Sequence, residues 1–172
     1  NGLAIDDIRQ VFIDREGIQW FASYGGGVFK LTTTQFKSYT VNNGLTGNAV
    51  MSITQDAQGN YFFGTYDNGI SFLSNPSDPF SANFNASLQE LSPNLRIWTS
   101  TTDLFRRPWI GTPEGLYCYD RNSFSQPHWL HFNKENGMDE EVVLSLLQKK
   151  DGSLLIGTNK GIQTFSKNTF QS

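Results

Sequence analysis

Four times along this chain the same phrase returns: an aromatic or apolar pair, a small residue, a hydroxyl residue, a short turn, then glycine and a branched apolar residue. The clearest copy is Trp109-Ile110-Gly111-Thr112-Pro113-Glu114-Gly115-Leu116. The others are Trp20-Phe21-Ala22-Ser23 running to Gly27-Val28, Phe62-Phe63-Gly64-Thr65 running to Gly69-Ile70, and Leu155-Ile156-Gly157-Thr158 running to Gly161-Ile162. The closing glycines Gly27, Gly69, Gly115 and Gly161 are spaced 42, 46 and 46 residues apart. A second marker keeps the same period: Asn1-Gly2-Leu3, Asn43-Gly44-Leu45 and Asn136-Gly137-Met138 open the first, second and fourth units. A unit of this length cannot bury its own apolar face, so units must stack, and this period is that of a four-stranded propeller blade.

Positions inside the unit agree. Twelve residues before the aromatic stand Ile8, Val50, Ile97 and Val143, all β-branched, as an inward strand position requires. Nine before it stand Val11, Ile53, Ser100 and Leu146. Six before it come Asp14, Asp56, Asp103 and Lys149, and three before it Gly17, Gly59, Arg106 and Gly152. Asp bonding its own backbone and Gly at positive φ spell a hairpin turn. The small residue after the apolar pair (Ala22, Gly64, Gly111, Gly157) marks close approach of a neighbouring blade. The expected fold is all-β: four-stranded antiparallel blades at about 1–40, 41–88, 89–133 and 134–172, one partial propeller over residues 1–172. Blade two is longest and least regular between Ser74 and Asn94, and the chain stops at Phe170-Gln171-Ser172, where the outer strand of blade four is expected to begin. A sequence of 172 residues with 17% charged and 14% aromatic residues suits one β-rich domain.

The unit Asn-Gly-Leu, apolar strand, Asp-x-x-Gly-x-x-Trp-Ile-Gly-Thr-x-x-Gly-Leu resembles the two-component regulator propeller repeat. The resemblance runs through all four units; Arg106 replaces the turn glycine in the third and Leu155 the aromatic in the fourth. The Asp-box of sialidase-like propellers places one residue between Asp and Gly, whereas two separate Asp14 from Gly17 and Asp56 from Gly59. The resemblance implies seven-bladed propellers in the extracytoplasmic sensor regions of bacterial membrane receptors, whose histidine kinase or diguanylate cyclase modules lie inside the cell. It implies a periplasmic location and a response to oligosaccharides or other small extracellular molecules. Seven blades need roughly 300 residues; with no initiator Met and blade four cut at its outer strand, the expectation is a piece of a longer propeller. Its exposed end blades are expected to pack against further blades or a second copy of the chain.

Catalytic and metal constellations are sparse. A single cysteine, Cys118, excludes an internal disulfide and a cysteine-based metal cluster, and reads as a small buried hydrophobe. His128 and His131, three apart on an outer strand, read as surface histidines. Asp6-Asp7 and Asp139-Glu140-Glu141 read as solvated loops rather than cation sites, and Gly25-Gly26-Gly27 as a turn without the Lys and helix of a phosphate cradle. No metal or cofactor is expected. A net charge of −3 without a basic run makes nucleic acid and anionic membrane poor partners, and no apolar run reaches the roughly 18 residues of a membrane span. Membrane attachment is therefore expected only through segments outside the chain.

A binding face is easier to place. The turns between second and third strands hold Tyr24, then Tyr66-Asp67-Asn68, then Pro113-Glu114, then Asn159-Lys160. Eleven residues before the aromatic the chain varies through Arg9, Met51, Trp98 and Leu144 while neighbouring positions hold steady. Variation within a fixed frame is what a recognition surface shows, and what an unconstrained surface also shows. The candidate ligand-binding set is Arg9, Tyr24, Tyr66, Asp67, Trp98 and Glu114; an aromatic with a guanidinium stacks on a sugar ring or binds a carboxylate. The expected function is a non-enzymatic sensor segment. The alternatives are a propeller lyase or hydrolase, needing Tyr24, Tyr66, Asp67 and Glu114 within about 10 Å of one another, and a structural docking propeller without small ligand.

Overall fold

The computed structural model describes residues 7–74, 84–85, 91–121 and 128–171. They form four antiparallel sheets of four strands, each in sequence order. Blade one contains β1 (Ile8–Ile13), β2 (Gln19–Ser23), β3 (Gly27–Leu31) and β4 (Phe36–Tyr39). Blade two contains β5 (Val50–Gln55), β6 (Tyr61–Thr65), β7 (Ile70–Leu73) and β8 (Phe84–Asn85). Blade three contains β9 (Thr99–Thr102), β10 (Pro108–Thr112), β11 (Gly115–Asp120) and β12 (His128–Phe132). Blade four contains β13 (Val143–Gln148), β14 (Leu154–Thr158), β15 (Gly161–Ser166) and β16 (Thr169–Gln171). The expected four-stranded blades are thus present. Contrary to expectation, blade four has its outer strand: Lys167 and Asn168 take positive φ and let β16 fold straight back, pairing Ser166 with Thr169.

The Asn-Gly-Leu marker has a local cause. Val41–Asn43 and Lys134–Asn136 each form one 3-10 turn. The side chains of Asn43 and Asn136 complete capping boxes with Thr40 and Asn133, and Gly44 and Gly137 close the turns at φ 99° and 109°. The residue that follows, Leu45 or Met138, then drops into the core.

That core is three cores, one per junction. Trp20, Ala22, Val28 and Tyr39 of blade one meet Val50, Ile53, Tyr61 and Phe63 of blade two. Phe62 and Ile70 meet Ile97, Ile110 and Tyr119 of blade three. Trp109, Leu116 and Cys118 meet Val143, Leu154, Ile156 and Phe165 of blade four. Strand alternation explains the sorting: Phe62 faces one neighbour and Phe63 the other. Cys118 is the expected small buried hydrophobe, its thiol pushed up to about 12 chiefly by burial.

The repeated small residue does what its spacing implied. A Cβ on Gly64 would collide with the Ile97 side chain, and one on Gly111 with Val143. The β-branched residues Ile97 and Val143 of blades three and four therefore seat directly on the glycines of the blades before them. Gly157 has no following blade here, and a Cβ there would meet only Ser145 of its own sheet.

The ends of the arc expose the same positions that the inner blades bury. Val11 is 58% exposed where its counterpart Ile53 is 1% exposed. Ile162 is 67% exposed where Val28 and Leu116 are fully buried. Ile13 and Leu147 are likewise exposed.

The hairpin reading also holds. The turn glycines Gly17, Gly59 and Gly152 sit at φ 81°, 84° and 89°, and Arg106 adopts φ 60° in their place. An L-residue pays roughly 1–2 kcal/mol for that conformation. Arg106→Gly is accordingly expected to raise the unfolding free energy by about 1 kcal/mol, read as a higher urea midpoint at unchanged m-value.

Candidate functional site

The turns between second and third strands are pinned by backbone bonds to the segments that enter the blades. Tyr24 N–H donates to the Asp7 carbonyl and Tyr66 N–H to the Ala49 carbonyl, each at 2.9 Å. Tyr24 and Ala49 also pair as an isolated bridge. The Gly25-Gly26-Gly27 run is the expected turn: Gly25 and Gly27 donate to the Asn48 carbonyl, which ties blade one to blade two.

This backbone arrangement lines up four side chains. The Arg9 guanidinium lies 4.9 Å from the Tyr24 ring centre. The Tyr24 and Tyr66 rings meet edge to face at 5.7 Å and 75°. The Arg96 guanidinium lies 5.7 Å from the Tyr66 ring centre. The row crosses from blade one to the entry of blade three. Arg9 is also held by Asp7 at 2.7 Å, while Arg96 is exposed and has no carboxylate partner among the described residues. Asp67 is exposed beside Tyr66 and accepts from the Asn68 amide. Tyr24 is itself 41% exposed, so the row is open to solvent.

Three of the six sequence candidates, Arg9, Tyr24 and Tyr66, are thus in one line of contacts, with Asp67 adjoining. Trp98 is half-buried, donates its backbone N–H to the Gly111 carbonyl at 3.0 Å, and makes no ring contact with the row among the described residues. Glu114 has an exposed carboxylate, and its backbone carbonyl accepts from His131 Nε2 at 2.9 Å. His131 stacks on Tyr117 at 4.1 Å, an exposed histidine held against its own blade. Arg96 was missed by the sequence reading. It stands two residues before Trp98, in the irregular segment that enters blade three, where no repeat position marks it.

The variable position itself has an unexpected cause. In blades one, two and four the register slips between Ile8 and Gln10, Val50 and Ser52, and Val143 and Ser145. Arg9, Met51 and Leu144 are therefore bulge residues, which pair with nothing and whose side chains the bulge re-aims. A position outside the ladder tolerates any side chain, which explains why it varies.

The acidic loop at Asp139-Glu140-Glu141 is not simply solvated. Glu140 is buried between Lys160 at 2.5 Å and Lys134 at 3.5 Å, which hold its carboxyl down to about 2. Among the described residues no three His, Cys, Asp or Glu side chains are placed to hold a metal ion, and no helix is long and apolar enough to cross a membrane.

Four antiparallel four-stranded sheets packed in series through a core at each junction define an arc of a β-propeller. The family model described as two component regulator propeller matches residues 44–67, so the chain carries that repeat, in its second unit. The extracellular domain assigned to a one component system, BT4673, of B. thetaiotaomicron superposes with a TM-score of 0.77 at 20% identity, over 99% of this chain and 22% of that one. The extracellular domain assigned to a hybrid two component system, BT3049, of the same organism superposes with a TM-score of 0.66 at 20% identity, over 99% of this chain and 29% of that one. Virginiamycin B lyase of Staphylococcus aureus superposes at 0.69 with 11% identity, over 96% of this chain and 54% of that one. The chain spans under a third of the two sensor domains and about half of the lyase. At these identities the likeness is one of fold. No curated protein matches the sequence.

Proposed function

We propose that this chain is four blades of the extracytoplasmic, ligand-binding propeller of a bacterial signal-transduction receptor, and that the Arg9–Tyr24–Tyr66–Arg96 row is its contact with a small extracellular molecule. The row carries this reading. Two tyrosines and two guanidiniums lined up across blade boundaries offer stacking surface and directed donors, with Asp7 and Asp67 as acceptors. That mixture suits an oligosaccharide, whose rings present apolar C–H faces and a rim of hydroxyls. The family repeat over residues 44–67 and the sensor-domain neighbours support a periplasmic receptor whose output module, a histidine kinase or diguanylate cyclase, lies on the other side of the membrane. Further blades of the same repeat cover the end faces at Val11 and at Ile162, because Ile53, the counterpart of Val11 in blade two, and Val28, Ile70 and Leu116, the counterparts of Ile162, are buried against a neighbouring blade.

The test is calorimetric titration and thermal shift against a panel of neutral and acidic oligosaccharides. One class is expected to raise the melting temperature, and Tyr66→Ala and Arg96→Ala are each expected to weaken its binding about tenfold, near 1.4 kcal/mol. A panel that leaves the melting temperature unmoved, in the chain and in its full-length receptor, overturns the ligand reading. Release of a cleaved product overturns the non-enzymatic one.

A further inference from the structure

The turns between second and third strands are closed in one way in blades one and two and in another way in blade three. In the first two, the residue that leads into the first strand gives its carbonyl to the turn: Asp7 accepts from the Tyr24 N–H and Ala49 from the Tyr66 N–H, each at 2.9 Å. The corresponding pair in blade three is Arg96 and Pro113. Proline has no N–H to give. The Arg96 carbonyl therefore lacks the bond that its counterparts make, and among the described residues no other donor replaces it. Asp7, Ala49 and Arg96 share no residue type, so the sequence alone does not mark the position.

Arg96 is nonetheless firmly placed. On one side of it the Leu95 carbonyl accepts from the Gly69 N–H at 3.0 Å, and on the other the Ile97 N–H donates to the Thr65 carbonyl at 2.9 Å. Both bonds reach the blade-two turn that holds Tyr66 and Asp67. Arg96 is exposed, and its guanidinium lies 5.7 Å from the Tyr66 ring centre without a carboxylate partner among the described residues. One residue beside an aromatic ring thus offers both an unpaired donor group and an unpaired acceptor. The charges of the row cancel, Arg9 and Arg96 standing against Asp7 and Asp67.

We infer that Arg96, with its carbonyl left open by Pro113, makes the row selective for an uncharged oligosaccharide over an acidic one; the inference rests on the row being a ligand contact. A sugar hydroxyl both donates and accepts, so hydroxyls on one ring serve the carbonyl and the guanidinium of Arg96 alike. A uronate carboxylate only accepts. It satisfies the guanidinium, but it sets its lone pairs against the Arg96 carbonyl and its charge against Asp67, and such repulsive elements are what separate two ligands of like shape. A row of balanced charge supplies no net attraction to offset that penalty.

Calorimetric titration with tetrasaccharides of galactose, glucose, mannose and xylose, and with tetragalacturonate and tetramannuronate, tests it. An uncharged member is expected to bind about tenfold more tightly than either uronate. Pro113→Ala supplies the missing N–H. The new amide at position 113 is expected to be protected from hydrogen exchange, affinity for the uncharged sugar to fall about tenfold, and the melting temperature to hold or rise. A merely structural role for Pro113 would instead lower affinity and melting temperature together. A uronate that binds as tightly as the best uncharged sugar, or full affinity in Pro113→Ala, overturns the inference; the row itself still stands if Tyr66→Ala weakens binding. Binding that is indifferent to Tyr66→Ala, or no binding by any of the six sugars, overturns the row and the inference together.

Discussion

Gly111→Val is expected to cost about 3 kcal/mol and to open the junction between blades three and four. Gly111 lies in β10 between Thr99 of β9 and Val143 of the next blade. A Cβ there would come within 2.6 Å of Thr99 Cγ2 and closer still to Val143, so a branched side chain must push the two sheets apart. The same substitution at Gly157 meets only Ser145 and should disturb its own sheet without opening a junction. Urea unfolding read by circular dichroism measures both. The mechanism is isolated by Gly111→Val in a Val143→Ala background, where the smaller partner should return 1 kcal/mol or more, on the order of the coupling seen for touching residues. Equal cost in the two backgrounds would show that Thr99, and not the blade junction, sets the penalty.

Asp14→Ala is the second large effect, expected at about 3–5 kcal/mol. The carboxylate is buried and accepts four bonds. Its Oδ1 takes the N–H groups of Glu16 and Ile18 at 3.1 and 2.7 Å; its Oδ2 takes the Trp20 indole and the Tyr61 hydroxyl, each at 2.7 Å. One side chain therefore closes the hairpin, fixes the core tryptophan and ties blade one to blade two. Truncation leaves the indole N–H and the phenol buried without an acceptor. Tyr61→Phe, which removes a donor along with its need, should cost far less and should reduce the cost of Asp14→Ala in the double variant. Alkaline pH provides a second reading. Burial, then the bond to Asp14, push the Tyr61 hydroxyl up from its ordinary value of 10, so the folded chain keeps a proton that the unfolded chain releases. The tyrosine's contribution to stability is whole below pH 10 and declines as pH rises beyond it. Cys118 has the same sign, with decline beginning near its ordinary value of 9. Tyr61→Phe should remove the tyrosine part of that loss.

Much of the architecture was readable because it is written four times. Period, hairpin Asp, turn Gly and the small residue of the second strand each recur, and recurrence separates a structural requirement from an accident of composition. The meaning of Gly64 and Gly111 as close-approach positions was legible; that Ile97 and Val143 are the residues approaching required the packed blades. The binding face was half legible. Tyr24 and Tyr66 were placed by their turns and Arg9 by its variability, but Arg96 lies in an irregular entry segment with no repeat position to mark it. Trp98 was singled out for its chemistry, and the structure instead gives it a backbone bond to Gly111 and a half-buried setting apart from the row.

By itself the sequence determined the blade, its strand order and which faces of each strand are apolar, since these follow from local turn chemistry and a two-residue alternation that every unit repeats. Tertiary structure alone decided which of those apolar faces are covered and which variable residues meet across blade boundaries. Those outcomes depend on contacts between residues some 40 positions apart, such as Arg15 with Ala57 and Asp14 with Tyr61, and a chain read unit by unit contains no term for them.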